Sequence, residues 1–297
     1  MTIGIAGVVV KRRGLTILDR ATLELGPGLH GVIGRNGAGK TTLLRVLAGH
    51  VRVDAGTVTG PGATALGRVA QDVRYAGPTI GAHLDVAAIG HPTLDRRLAL
   101  AILGDAGLGP DTPTKTLSAG QRQLLSVAAA LSSGAGAVLL DEPFTGLDVG
   151  LRTSLRDRII GVAADRPDLC LALTSHQSED LAGLVDDVTT VSGGGIVTGP
   201  VALDAARHGF PTLRGARDKV DAIAGDLPRI SAKTLGGIAD VTLARPLSCS
   251  AVRRADAEGV IVTHPADGEL IDLLALHGAP ARSGAPTGNG APGRNGQ

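Results

Sequence analysis

The sequence predicts an α/β fold, a mainly parallel sheet with helices packed on it. Three observations predict it. Beyond residue 132, apolar runs that read as strands alternate with amphipathic helical runs, the order that builds parallel sheets. Upstream, the apolar run Leu29 to Ile33 leads into Gly34-Arg35-Asn36-Gly37-Ala38-Gly39-Lys40-Thr41, and a helical pattern, Thr42 to Ala48, follows. Finally, hydrophobic residues are 43% of the 297, while aromatics are 1%. A sizeable core is therefore expected, built from Leu, Val, Ile and Ala.

Taken in order, residues 3–10 and 15–25 read as strands, and Pro27-Gly28 turns the chain into the strand before the glycine-rich loop. Short strands are expected over 56–60 and 63–70. From residue 72 to about 132 the pattern turns helical, with Leu84, Ala87 and Ala88, and Leu94, Leu98 and Ile102, at spacings of three and four. Ser118 is expected to cap a helix running to Leu131. Ala137 to Leu140 reads as a strand apolar on both faces. A helix over 149–164, a strand over 169–174, a helix over 177–185, a hairpin over 188–198 and a helix over 201–209 follow. Residues 210–278 read as a small α+β appendage, with strands over 238–243 and 259–263 and a helix over 269–276. Residues 279–297 are rich in Pro, Gly, Ala and Asn, with no large apolar residue; disorder is expected there. The expected domains are thus 1–209, 210–278 and a tail, 279–297.

The loop over 34–41 fits G-x-x-x-x-G-K-[ST] between a strand and a helix, the context that phosphate binding requires. Glycines let backbone N–H groups point at phosphate oxygens without obstruction. The helix N-terminus adds about half a positive charge. Lys40 is expected to reach the β/γ-phosphates and the Thr41 hydroxyl to ligate Mg²⁺; Thr42 lies beside them.

Four further motifs follow in order. Leu117-Ser118-Ala119-Gly120-Gln121 resembles the LSGGQ signature of ATP-binding cassette (ABC) ATPases. Ala137 to Pro143 resembles their Walker B strand, Gly146-Leu147-Asp148 their D-loop, and Thr174-Ser175-His176 their switch-histidine loop. Gln71, in Arg68-Val69-Ala70-Gln71, stands where their Q-loop glutamine stands. The signature and Asp141 are 24 residues apart, the usual gap in that family, and the resemblance covers about residues 1–200. It implies a P-loop NTPase core with an antiparallel β layer, to which the short strands belong, and a helical signature subdomain over about 72–132. It also implies an ATP-binding subunit that works as a sandwiched dimer, a homodimer being expected. That subunit would drive a permease on a separate chain from the cytoplasmic face of a membrane. Export is expected over import on the strength of the C-terminal appendage; a soluble ABC ATPase without a pore is the alternative.

The resemblance also implies roles. Asp141 joins Thr41 in holding Mg²⁺, Gln71 ligates Mg²⁺ or the attacking water, Glu142 is the general base or water-orienting group, and His176 contacts the γ-phosphate and that glutamate. Ser118 and Gly120 meet the nucleotide held by the second subunit, and Asp148 belongs to the same interface. The family often stacks an aromatic residue on adenine near positions 11–14. This chain has Lys11-Arg12-Arg13-Gly14, so Arg13 either stacks its guanidinium on the base or is a solvated turn residue. Ala119 replaces the usual second signature glycine, a small addition expected to be tolerated.

Composition excludes other classes. With 29 basic and 28 acidic residues there is no basic field for nucleic acid. No run of 18 apolar residues occurs, so no membrane span is expected, and Met1 to Val10 does not read as a signal peptide. Cys170, within an apolar run, is expected to be a buried structural thiol, and two cysteines fit a reducing compartment.

Overall fold

Alternating buried and exposed positions make Ile3–Arg12 (β1) and Leu15–Leu25 (β2) a half-buried antiparallel hairpin. The computed structural model describes residues 2–60, 64–67 and 75–278. Pairing of Arg12 with Leu15 leaves Arg13 and Gly14 as a two-residue turn, with φ of 50° and 80°. Left-handed backbone at both positions is what a type I′ hairpin turn demands.

Next come Gly28–Ile33 (β3), Lys40–Leu47 (α1), Ala55–Thr59 (β4) and Thr64–Gly67 (β5). β4 pairs with β1, giving a three-stranded antiparallel sheet in the order β2-β1-β4. The helical block is Ile80–Gly90 (α2), Arg96–Gly104 (α3) and Ala119–Leu131 (α4), with Thr79, Asp95 and Ser118 as side-chain N-caps. Ala137–Leu140 (β6) and Cys170–Ser175 (β7) are buried at every residue, as central parallel strands are. Between them runs Val149–Asp165 (α5), and Ser178–Leu181 (α6), Asp187–Ser192 (β8), Gly195–Ala202 (β9) and Leu203–Arg207 (α7) follow. The main sheet has the order β5-β6-β7-β3-β8-β9, parallel except for β9.

Two helices are shorter than the sequence suggests. α6 stops at Leu181 because Ala182 leaves helical geometry and Gly183 is left-handed at φ 64°. α7 starts only at Leu203 because β9 stays paired with β8 through Ala202. The core over the main sheet joins Ile3, Val10, Leu18 and Leu25 of the hairpin to Leu43, Leu44 and Leu47 of α1 and to Leu139 and Ala172 beneath. Each of the Ile, Val and Leu side chains contributes roughly 1.5–3 kcal/mol through burial. Cys170 is buried in this core and Cys249 is exposed.

His30 sits within the sheet at 6% exposure. Its Nδ1 lies 2.9 Å from Asp187 Oδ2 and its Nε2 2.9 Å from the Gly26 carbonyl. Two acceptors call for two ring N–H donors, hence the cation. Burial alone would lower its pKa; the Asp187 hydrogen bond and charge override that, with contributions from Cys170 and Gly26, and raise it to about 10.

The chain divides into two units, Met1–Asp204 with Ala266–Gly278, and Ala205–Pro265. The second contains Thr212–Ala216 (β10), Arg217–Ala224 (α8), Arg229–Leu235 (β11), Ile238–Leu243 (β12), Cys249–Glu258 (α9) and Ile261–Thr263 (β13). Its β-α-β-β-α-β order closes an antiparallel sheet, β11-β12-β10-β13, over Leu213, Val220, Val241, Leu243, Ala255 and Val260. The last helix, Asp267–His277 (α10), lies in the sequence-expected appendage but groups with the first unit. It buries Leu270, Ile271, Leu273 and Leu274, and Asp267 Oδ2 accepts from the Gly183 amide at 2.8 Å. The boundary expected at 209/210 thus falls at 204/205 and again at 265/266. The expected disordered tail, 279–297, lies outside the described residues, as do parts of the expected strand over 63–70.

Candidate functional site

β3 delivers the glycine-rich loop to the C-terminal edge of the parallel strands. Gly37 and Gly39 are left-handed, with φ of 81° and 106°. A Cβ on Gly34 would fall 2.3 Å from the Val191 carbonyl oxygen, so the loop runs directly against β8. α1 starts at Lys40 with no side-chain cap, leaving its first-turn N–H groups for a ligand.

Lys40 is buried, and its Nζ donates to the Gly34 carbonyl at 2.6 Å. The same Nζ stands 3.5 Å from Glu142 Oε1. Glu142 Oε2 is 2.8 Å from His176 Nδ1. One carboxylate therefore bridges the phosphate-loop lysine and the histidine after β7. Sequence alternation alone would turn Glu142 to the face opposite Asp141. The structure turns it by a left-handed backbone, φ 50°, held by its amide donating to Thr174 Oγ1 at 2.9 Å.

Thr174 also donates to Asp141 Oδ1 at 2.8 Å, and Thr41 Oγ1 donates to the same oxygen at 3.2 Å. Gln123 Nε2 reaches the Asp141 carbonyl at 3.1 Å. Burial raises the Asp141 pKa; its two threonine hydrogen bonds oppose this and the Glu142 charge adds to it. A cation would stabilise this buried carboxylate. Among the described residues no group of three or more His, Cys, Asp and Glu could hold a metal alone. The Thr41 hydroxyl and Asp141 carboxylate are hard oxygen donors, the set that suits Mg²⁺ completed by water and phosphate oxygens.

A cleft of about 650 Å³ opens over this arrangement. Asn36, Gly37, Ala38, Gly39, Lys40, Thr41, Thr42, Glu142 and His176 line it, so most sequence-predicted residues converge. Gly34 lies beneath the loop. Arg35 is exposed, and its carbonyl accepts from the Ala38 amide at 3.0 Å.

Others are placed elsewhere. Ser118 forms a capping box with Gln121: its Oγ accepts from the Gln121 amide at 3.2 Å and its own amide donates to Gln121 Oε1 at 2.9 Å. Asp148 caps α5, accepting from the Leu151 amide at 2.9 Å. A Cβ on Gly120 would fall 2.2 Å from the Gly146 carbonyl oxygen, so only glycine fits where α4 meets that turn. Gln71 lies outside the described residues. Arg13 is exposed at the hairpin tip, and the structure does not bring it to the cleft; the β1/β2 register fixes it in the turn. Ile17, three residues past the turn, lines the cleft instead. Sequence reasoning missed Ile17, Gln123 and the double role of Thr174, whose only signal was its place before Ser175-His176.

Comparison with known proteins gives the following. The family model described as "ABC transporter" matches residues 18–145. An aliphatic sulfonates import ATP-binding protein of Ralstonia nicotianae is 35% identical over 207 residues, 66% of this chain and 70% of that protein. A methionine import ATP-binding protein of Burkholderia mallei is 33% identical over 295 residues, 90% of this chain and 70% of that protein. An Fe(3+) ions import ATP-binding protein of Rhodococcus jostii is 32% identical over 61% of this chain; the chain spans only 57% of its length. The solved ATP-binding subunit of an ABC transporter superposes with TM-score 0.61 at 20% identity, over 70% of this chain and 92% of that one. Among the described residues no helix is long and apolar enough to cross a membrane.

Proposed function

The chain belongs to the ABC transporter family, and on that premise we propose that it is a transporter's ATP-binding subunit. It hydrolyses ATP as a dimer and drives a permease carried on a separate chain, lying against the membrane through that permease. The observation that carries this reading is Glu142, held between Lys40 and His176 over a phosphate-binding loop. Relatives above 30% identity named for import support import as the direction. The export preference drawn from the C-terminal appendage has no such support.

Chemically, the loop amides and Lys40 hold the β- and γ-phosphates, and the α1 N-terminus faces their charge. Thr41 and Asp141 would hold Mg²⁺, which when bound neutralises phosphate charge. Glu142 accepts a hydrogen bond from the attacking water and orients it, while His176 Nδ1 fixes the Glu142 carboxylate. Ser118 and Gly120, at the start of α4, face the nucleotide of the second subunit in this reading. Lys40→Ala should abolish ATP binding, measured by equilibrium dialysis of the purified protein. ATP retention by that variant would overturn the site assignment.

A further inference from the structure

Behind His176 lies a chain of hydrogen bonds that the reaction above does not use. Gly120 packs directly against the Gly146 carbonyl. One residue on, the Leu147 carbonyl accepts from Arg152 Nε at 3.1 Å. Arg152 Nη1 donates to Asp180 Oδ1 at 3.0 Å. Ser175 Oγ donates to Asp180 Oδ2 at 2.8 Å and accepts from the Gln177 amide at 3.0 Å. His176 stands between these last two residues. Arg156, one turn along α5, donates to the Asp180 carbonyl at 2.8 Å and to the Ala182 carbonyl.

Asp180 and Ser175 are buried, so the bond between them forms out of water, and the contact with the partly exposed Arg152 is charge-assisted. The planar guanidinium makes both of its contacts at once from one rigid group. A shift of the 146–148 turn is therefore transmitted to the backbone on both sides of His176. We propose that Arg152 and Asp180 are positioning residues that tie this turn to His176 and so set the Glu142–His176 pair for hydrolysis. The inference rests on the ATPase reading above.

Arg152→Lys keeps the charge but cannot span both acceptors, and Asp180→Asn keeps the shape. Each should lower kcat about tenfold, since sub-ångström misplacement at a reacting centre is costly, with KM for ATP within twofold of wild type. The double variant should be no slower than the worse single one, as expected of residues acting in one contact. Amide exchange at residues 175–177 should accelerate in both. A kcat within twofold of wild type, a rise in KM matching the fall in kcat, or losses that multiply would overturn the proposal. Should Asp180→Asn fail to fold, Arg152→Lys carries the test alone, its side chain being 35% exposed. If the wild-type protein hydrolyses no ATP, the ATPase reading fails; the tie is then judged by amide exchange, and unchanged exchange in Arg152→Lys overturns it.

Discussion

Glu142 and His176, 34 positions apart in sequence, meet at 2.8 Å between Oε2 and Nδ1. The contact leaves Glu142 Oε1 facing Lys40. Replacing Glu142 by Gln removes the base while keeping size and the neighbouring contacts. We expect hydrolysis to slow by on the order of 10²-fold or more with ATP still bound. The same variant should dimerise with ATP and not with ADP, read by light scattering; near-normal turnover would sink the role given to Glu142.

Thr174 is fully buried and serves Asp141 and the Glu142 amide together. Thr174→Val keeps the shape but orphans that amide and removes a hydrogen bond to a buried carboxylate. A stability loss of roughly 1–3 kcal/mol is expected, measured by chemical denaturation. Turnover should fall at the same time, because the left-handed backbone at Glu142 loses its tether.

Gly120→Ala places a methyl against the Gly146 carbonyl, which neither backbone can yield without moving. Turnover should drop about tenfold or more. Ala119→Gly, one residue earlier, should change turnover less than twofold, roughly 0.4 kcal/mol of barrier. Equal effects of the two substitutions would mean that the contact at Gly120 is not what matters.

His30 gives a pH signature. Its folded pKa, about 10, lies above the ordinary 6.5. Protonation therefore favours the folded state: the contribution is fully present below pH 6.5 and fades as pH rises through about 10. Melting temperature should fall across that window in wild type, and less steeply in His30→Gln. Parallel curves would show that the His30–Asp187 pair does not titrate this way.

Arg13 occupies a left-handed turn position away from the cleft, so Arg13→Ala should leave ATP affinity within twofold. Ile17→Ala should weaken it by severalfold, since a lost apolar contact costs roughly 1 kcal/mol. Calorimetric titration of both variants with ATP separates these outcomes.

Patterns that depend on local chemistry were legible in the sequence. The apolar runs Ala137 to Leu140 and Cys170 to Leu173 read as buried strands, and the glycine-rich loop carries its conformation in its composition. β11 could not be read, because it is exposed or half-exposed at every residue on a sheet edge and shows no alternation. α9 was missed because it buries only Ala255. Thr174 acquires its place from the pairing of β7 with β3 and β6, strands distant in sequence, and Ile17 from the packing of its backbone against Gly39 and Gly194. For Arg13 the residue type left stacking and a solvated turn open, and hairpin register puts it in the turn. The grouping of α10 with the first unit depends on where its apolar stripe finds a partner, which no local pattern states.

Because α10 belongs to the first unit while residues 205–265 intervene, order of synthesis becomes an issue. The ribosome delivers β9 well before the helix that completes the same unit. At 5–20 residues per second, the intervening stretch takes roughly 3–12 s to emerge. During that interval the nascent first unit lacks its last helix, and the surface that α10 will cover stays open. Nascent chains stalled just before Ala266 should therefore be cut by protease near α6, while chains stalled well beyond Gly278 should resist.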